Sequence, residues 1–312
     1  MTSSRVLEIQ PLLLDQDDAL KGTDEFSPYV WRDGETYRLA VRSMTNAQSL
    51  SDERSTIYFG ISEDGQHFKV DTNPNISPSP GPDSWGCEDP TVIAMPDQIH
   101  VLYSGWDGAT SRLLRASGPT LDSLTKMGEV LHHHPHFPMS KEAAVLPSGK
   151  GLQLLFEYAT EGASRIGMAI GTSLTEQFRV TKSQIPPRED RWDSWHLSPC
   201  DCIEWQGRRI AIYSGSDRDA RWRIGWVEFD HHGDVILRAK EPLIAPFDLA
   251  PGDTDIAFAA SALVVGDALW IYFSLADRKL YRARVEIGTD GETPEEMRPS
   301  PPDSAQRSVA SA

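Results

Sequence analysis

Short apolar runs punctuated by turn residues recur along this chain at a nearly constant interval. Five share one pattern: YRLAVRS (37–43), IHVLYSG (99–105), LQLLFEY (152–158), RIAIYSG (209–215) and LWIYFSL (269–275). Their starts lie 62, 53, 57 and 60 residues apart. A second apolar run precedes each one, with Asp-Gly, Pro-Asp, Ser-Gly or Gly-Asp at most of the joins, as in YVWRDGE and ALVVGDA. Two runs around such a turn read as a β-hairpin. A third run follows at each station, from STIYFGISEDG (55–65) to KLYRARVEI (279–287). Five successive antiparallel sheets of three or four strands predict an all-β fold, a five-bladed β-propeller, with residues 1–287 as one domain. A β-sandwich or two smaller β domains would not repeat at this interval. Residues 288–312 have almost no apolar content and predict a disordered tail. The segment before residue 26 is expected to lead into the first blade or to close it.

In a propeller the first strand of each blade lines the axis and the second returns antiparallel beside it. The start of the first and the end of the second therefore open on one mouth. Before the first strands stand Glu88 and Asp89, Lys141 and Glu142, Asp201, and Asp253 and Asp255. Ending the second strands, at one equivalent position, stand Arg42, Ser104, Glu157, Ser214 and Ser274. Carboxylates from separate blades thus converge, with a cation or two among them. Each alone could be a turn residue opening a strand. Together they suit glycoside chemistry, in which one carboxylic acid protonates the leaving oxygen and another carboxylate activates water. Crowded acids also raise one another's pKa, which helps a donor stay protonated.

Charge narrows the partners. With 46 acidic and 30 basic residues the net charge is −16, which opposes binding to nucleic acid or to anionic membrane surfaces. No apolar run reaches the length of a membrane span, and the N-terminus lacks a secretory pattern. Cys87, Cys200 and Cys202 are too few for a disulfide framework, so a cytoplasmic location is expected. Cys200 and Cys202, two apart on a strand, are expected to share one face as core thiols. HHHPH (132–136) is a loop at the funnel mouth and is not expected to hold a metal. No nucleotide-binding or acyl-hydrolase motif occurs, so no cofactor is expected. Trp192, Trp195 and His196, in DRWDSWHLSP (190–199), either contact a sugar or pack against the fourth blade. The expected partner is an oligosaccharide substrate, and a homo-oligomer is allowed.

Several blocks carry a resemblance. CEDPTV (87–92) resembles the G-x-E-D-P-R block of glycoside hydrolase family 130, five-bladed propellers acting on β-mannosides. ISEDGQHF (61–68) is similar to its S-x-D-G-x-x-F, SKEAAVLP (140–147) to its N-K-D-a-a-L-F-P, and IYSG (212–215) to its I-Y-H-G. GDTDIAFAASALVVGDALWIYFSLAD (252–277) resembles its closing segment. The resemblance implies Asp89 as general acid, acting directly or through a sugar hydroxyl. It implies sugar-binding roles for Arg42 and Asp255, with Lys141 facing the same pocket; Glu88, from its station before a first strand, is expected to bind substrate there too. Family phosphorylases hold phosphate with an Arg ending the third blade's second strand and with the His of Y-H-G. Here Glu157 and Ser214 occupy those stations, and the Tyr that usually follows is replaced by Trp222. A carboxylate repels phosphate where a guanidinium would clamp it. The expectation is an inverting hydrolase of a β-mannoside or related short oligosaccharide, with Glu157 or Asp201 directing water. The alternatives are a phosphorylase using Lys141 or Arg165, a sugar-binding propeller without catalysis, and an arabinofuranosidase- or fructosidase-type propeller. Thr91, where the family usually has Arg, marks a divergent branch.

Overall fold

The computed structural model describes residues 2–15, 20–45, 54–132, 139–148 and 151–297. Among these no α-helix occurs. Strands β1 (Arg5–Pro11) and β2 (Leu13–Asp15) precede the first blade. That blade is β3 (Thr23–Asp33), β4 (Thr36–Thr45), β5 (Ser55–Ser62) and β6 (His67–Val70). The second is β7 (Gly86–Ala94), β8 (Ile99–Trp106), β9 (Ser111–Gly118) and β10 (Thr125–Glu129). The third is β11 (Lys141–Ser148), β12 (Gly151–Thr160), β13 (Ala163–Gly171) and β14 (Arg179–Thr181). The fourth is β15 (His196–Trp205), β16 (Arg208–Ser216), β17 (Trp222–Phe229) and β18 (Val235–Ala239). The fifth is β19 (Ala257–Val265), β20 (Ala268–Leu275) and β21 (Lys279–Glu286), followed by the short β22 (Gly291–Glu292). Each blade is an antiparallel meander, and one bridge, Ser55 to Gly86, links the first two sheets.

The fifth blade takes its outer strand from the other end of the chain. β1 pairs with β21 from Arg5 opposite Glu286 to Pro11 opposite Tyr281, so the N-terminal segment closes the ring at the last blade. Apolar side chains then form five clusters, one between each pair of neighbouring blades. Tyr29, Phe59 and Tyr103 join the first and second blades. Leu113, Leu154 and Phe178 join the second and third, and Ile166, Tyr213 and Phe229 the third and fourth. Trp226, Ile271 and Phe273 join the fourth and fifth, and Val41, Phe68 and Tyr272 the fifth and first. A strand with a blade on either side is buried on both faces, as β8 and β16 are along nearly their whole length. That is why their sequences read as continuous apolar runs, while the outer β6 alternates buried and exposed. Burying each large side chain of this kind contributes about 2–3 kcal/mol before entropy is counted.

The start of the expected tail is ordered into the fold. Asp290 accepts from the backbone and hydroxyl of Ser4, and the Ser4 oxygen in turn accepts from Trp226 Nε1. β22 adds a fifth strand beside β18. Glu292 reaches Arg188 and Arg191 at 3.0 and 2.6 Å. Composition missed this because the segment is held largely by charge and hydrogen bonds, with Met297 packed against the cluster between the third and fourth blades. Residues 298–312 lie outside the described residues, as do 133–136 of the histidine-rich loop.

Candidate active site

The innermost strand of every blade carries one residue more than its partner, a β-bulge at the same station. The register shifts fall at Phe26/Tyr29, Glu88/Thr91, Lys141/Ala143, Pro199/Asp201 and Ala259/Ser261. A bulge re-aims the side chains it contains. In the first three blades it does so through a left-handed backbone, with φ of 49° at Ser27, 47° at Asp89 and 33° at Glu142. Non-glycine residues adopt this region at a cost, which the surrounding blades must offset. The bulges surround a narrow axial cavity lined by Ser27, Asp89, Glu142, Cys200, Phe258 and Ala260. Two carboxylates from adjacent blades therefore meet at the axis. A roomier depression of about 710 Å³ lies on the outer strands β2 and β6, but its Asp64–His67 pair is solvent-exposed.

Three blade interfaces are latched by serine. Ser274 Oγ accepts the backbone N–H of Ser27 at 3.2 Å, Ser104 Oγ that of Glu142 at 3.1 Å, and Ser214 Oγ that of Ala259 at 3.1 Å. Each serine ends one blade's second strand and fixes the bulge of the next. The two remaining stations hold Arg42 and Glu157. Arg42 reaches across to the next bulge's side chain, Asp89. Glu157 faces a bulge that begins with Pro199, which has no N–H to latch. The charged groups thus stand where the backbone latch is missing. Ser214 belongs to the latches and also touches the Cys200 thiol at 3.4 Å, so its role is structural.

Asp89 Oδ1 accepts from Ser27 Oγ at 2.7 Å and from Arg42 Nη1 at 3.4 Å. Arg42 also donates to Glu88 Oε1 at 2.9 Å and to Ser55 Oγ at 3.2 Å, and lies over the Phe26 ring. Burial opposes the charge on Arg42, but Asp89 and Glu88 outweigh it and keep the guanidinium firmly protonated. Lys141 stands directly across the strand pair from Glu157. Burial works against its charge too, and Asp89, Glu157, Glu88 and Glu142 together reverse that effect. Burial lifts the Glu142 carboxyl well above the ordinary range, helped by the negative charges of Asp89 and Glu157. Glu157 is also raised by burial, while the hydroxyl of Ser198 and the Lys141 charge pull the other way. Ser198 Oγ lies 2.6 Å from Glu142 Oε2.

The structure therefore brings Arg42, Glu88, Asp89, Lys141 and Glu157 together with Glu142, which the sequence placed at the same mouth without a specific role, and it adds Ser27 and Ser198. Asp277 also answers to Arg42, its carboxyl raised by burial against the pull of that charge and of Arg278. Asp201 is not at this cluster. It is buried between blades, with Oδ1 accepting from Tyr29 and from the Cys202 N–H and Oδ2 from the Ala262 N–H. The bulge explains the difference, because counting across it puts Pro199 and Cys200 at the station that Asp89 and Glu142 hold. The same shift separates Cys200 and Cys202, which pack into different clusters and do not share a face. Asp201→Ala strands three donors and is expected to cost about 3 kcal/mol in urea unfolding, with kcat nearly unchanged. Lost turnover at unchanged stability would return Asp201 to a catalytic role. Burial raises its pKa to about 7. The native state therefore holds this proton longer than the unfolded chain, and the group's contribution to stability declines as pH rises from about 4 to about 7.

Asp255 forms a two-point ion pair with Arg223, both contacts at 3.0 Å, and makes no hydrogen bond or ion pair to the Asp89 cluster among the described residues. An aromatic row runs outward from the axial cavity: Phe258, Trp222 at 5.0 Å, His196 at 5.4 Å and Trp195 at 6.4 Å. His196 Nδ1 accepts the Ser164 N–H at 3.0 Å, and burial together with Arg165 lowers its pKa, so the ring is neutral. Arg218 covers Trp195 at 4.0 Å. Trp192 belongs to packing, stacked on Tyr213 and so close to Gly225 that a Cβ there would come within 2.6 Å of its ring.

A sequence profile of glycoside hydrolase family 130, described as β-1,4-mannooligosaccharide phosphorylase, matches residues 22–287. A β-1,2-mannobiose phosphorylase of Thermoanaerobacter sp. is 24% identical over 278 residues, covering 84% of this chain and 89% of that one. The β-1,2-mannobiose phosphorylase of Listeria innocua, solved with β-1,2-mannobiose, is similar in fold with a TM-score of 0.75. It is 18% identical, and the match covers 92% of this chain and 97% of that one. A further family structure, from work on hydrolases that target β-1,2 mannosidic linkages in Candida mannan, matches with a TM-score of 0.69 at 17% identity over 87% of this chain and 86% of that one. The profile spans all five blades, and on that ground the chain belongs to glycoside hydrolase family 130, a family of β-mannoside phosphorylases and hydrolases.

Proposed function

We propose that this chain is an inverting β-mannoside hydrolase, with Asp89 as general acid and Glu157 directing the attacking water. The observation that carries this reading is Glu157, a half-buried carboxyl on the third blade at the station where family phosphorylases have an Arg. A phosphate dianion brought there would meet an acid in place of a guanidinium, with Lys141 as the neighbouring cation. Water meets no such repulsion, and a carboxylate is what water needs as its base. Ser27 and Arg42 both engage Asp89 Oδ1, so in its acid form the proton sits on Oδ2. Arg42, Glu88 and Lys141 supply polar contacts for the sugar hydroxyls, and the aromatic row leading to Trp195 supplies faces for a further sugar ring. The relatives' substrates make β-1,2-mannobiose the first compound to test.

Those relatives are phosphorylases, which supports a second reading in which Lys141 holds phosphate. Arg165 is a weaker candidate, since its guanidinium already donates to the backbone carbonyls of Ser164 and Trp195. A product assay on β-1,2-mannobiose with and without inorganic phosphate separates the two. Free mannose at the same rate in both, with turnover lowered about 10²–10³-fold in Glu157→Gln, is the expected result. Sugar 1-phosphate formed only when phosphate is present would overturn the hydrolase reading. Binding without turnover on any β-mannoside would point to a sugar-binding propeller.

A further inference from the structure

We propose that Ser27 is a positioning residue for Asp89, its hydroxyl holding Oδ1 so that the protonated Oδ2 is turned to the leaving oxygen. This rests on the reading of Asp89 as general acid, and it assigns a purpose to a serine in a strained backbone at the axis.

The two oxygens of Asp89 have different surroundings. Oδ1 accepts from Ser27 Oγ at 2.7 Å and from Arg42 Nη1 at 3.4 Å, while Oδ2 takes no hydrogen bond or ion pair among the described residues. An O–H donor at 2.7 Å stands at its preferred distance, whereas 3.4 Å is long for an N–H. Arg42 makes its shorter contacts elsewhere, to Glu88 at 2.9 Å and Ser55 at 3.2 Å. The serine is therefore the contact that sets the carboxyl's orientation. As the Oδ2 proton passes to the leaving oxygen, the bond from that oxygen to the anomeric carbon breaks with its electron pair. Water adds to the carbon, and the water's proton goes to Glu157. Asp89 is left as a carboxylate, and the Ser27 hydrogen bond becomes charge-assisted and stronger. It therefore acts more on the transition state than on the ground state.

Ser27 is itself held by the fifth blade. It stands in the bulge at φ 49°, a left-handed backbone that a serine adopts at a cost. Ser274 Oγ accepts its N–H at 3.2 Å. Ser261 Oγ accepts the Val30 N–H at 2.9 Å and donates to the Pro28 carbonyl at 3.3 Å. Both of these fifth-blade serines are buried. Three hydrogen bonds from one blade thus pin residues 27–30 of the next, and the pinned serine reaches on to the acid of the blade after that. Glycine would occupy this position without strain. The chain carries a side chain there instead, and the one proton of its hydroxyl goes to Asp89.

The test is kcat and KM for wild type, Ser27→Ala and Ser27→Gly on β-1,2-mannobiose and on an aryl β-mannoside with an acidic phenol, with melting temperatures beside them. Both variants lose the hydroxyl. On the disaccharide kcat should fall about 10–30-fold with KM little changed. The aryl leaving group needs little protonation, so on that substrate the loss should shrink to about twofold. Ser27→Gly also sheds the left-handed strain, so it should melt near the wild-type temperature and still lose kcat as Ser27→Ala does. Loss of packing does not discriminate between leaving groups. Equal losses on the two substrates overturn the proposal, as does full activity in both variants. A rise in KM at unchanged kcat also overturns it and makes Ser27 a sugar contact. If Ser27→Ala does not fold, Ser27→Gly decides alone. Asp89→Asn on the same two substrates keeps the readings apart. A loss there that is larger on the disaccharide, beside an unaffected Ser27→Ala, removes only the positioning role. Full activity or equal losses in Asp89→Asn remove the general-acid assignment itself.

Discussion

Asp89→Asn is expected to lower kcat/KM on β-1,2-mannobiose about 10³-fold while leaving the melting temperature nearly unchanged. The asymmetry follows from the local geometry. Asp89 stands at φ 47°, and asparagine is one of the few residues that tolerates this region well. The amide oxygen can still accept from Ser27 and Arg42, and Glu88 still pairs with Arg42 at 2.9 Å. What disappears is the proton for the leaving oxygen. An aryl β-mannoside with an acidic phenol as leaving group needs little protonation, so on that substrate the loss should shrink to about tenfold. Equal losses on both substrates would show that Asp89 binds sugar and does not donate. Most activity surviving on both would remove it from the chemistry.

The largest expected effect on stability lies at a residue outside the cluster. The Asp193 side chain is fully buried and meets Arg188 at 2.8 Å, Arg238 at 2.6 Å and the Tyr213 hydroxyl at 2.6 Å. One carboxylate thus offsets two guanidiniums that are themselves 4% and 1% exposed. Asp193→Ala leaves both charges buried, with only Glu292 still paired to Arg188. Breaking a buried pair by removing one partner costs about 3–5 kcal/mol. In a domain of this size that corresponds to a fall in melting temperature of roughly 5–8 °C. Glu292→Ala, which leaves the Asp193 contacts intact, should cost much less. Comparable losses in the two variants would mean that the strap formed by residues 288–297, and not the buried charge, holds the fourth blade.

The propeller was legible because its repeat is written in hydrophobic runs, and burial on both faces of the middle strands makes those runs continuous. Asp89, Arg42, Lys141 and Glu157 were legible for a related reason, since they occupy equivalent stations in a counted repeat. The bulges were not. A bulge is a property of two strands paired in three dimensions, and nothing in CEDPTV or SKEAAVLP alone announces a residue at positive φ. Counting straight through the fourth blade's bulge promoted Asp201, which is one residue out of phase, and hid Ser198, which is in phase. Asp255 drew attention as an acid before a strand, but its partner Arg223 comes from the previous blade and could not be foreseen. The strap after residue 287 was missed because its anchors, Asp290 and Glu292, are the polar residues that composition counts toward disorder.

The closure of the ring by β1 has a consequence for how the chain is made. Arg5 and Glu286 face each other across a separation of 281 residues. The hairpins of the first four blades can form as they leave the ribosome, since their partners are near in sequence. β1 emerges first and has no partner until β21 follows. At typical elongation rates of about 5–20 residues per second, that wait lasts roughly 14–56 s. Throughout it, Leu7 and Ile9 sit on an unpaired edge strand, the kind of segment that recruits other chains. The vulnerable moment of this protein is therefore its synthesis, and crowding of nascent chains should reduce yield more than any property of the finished ring.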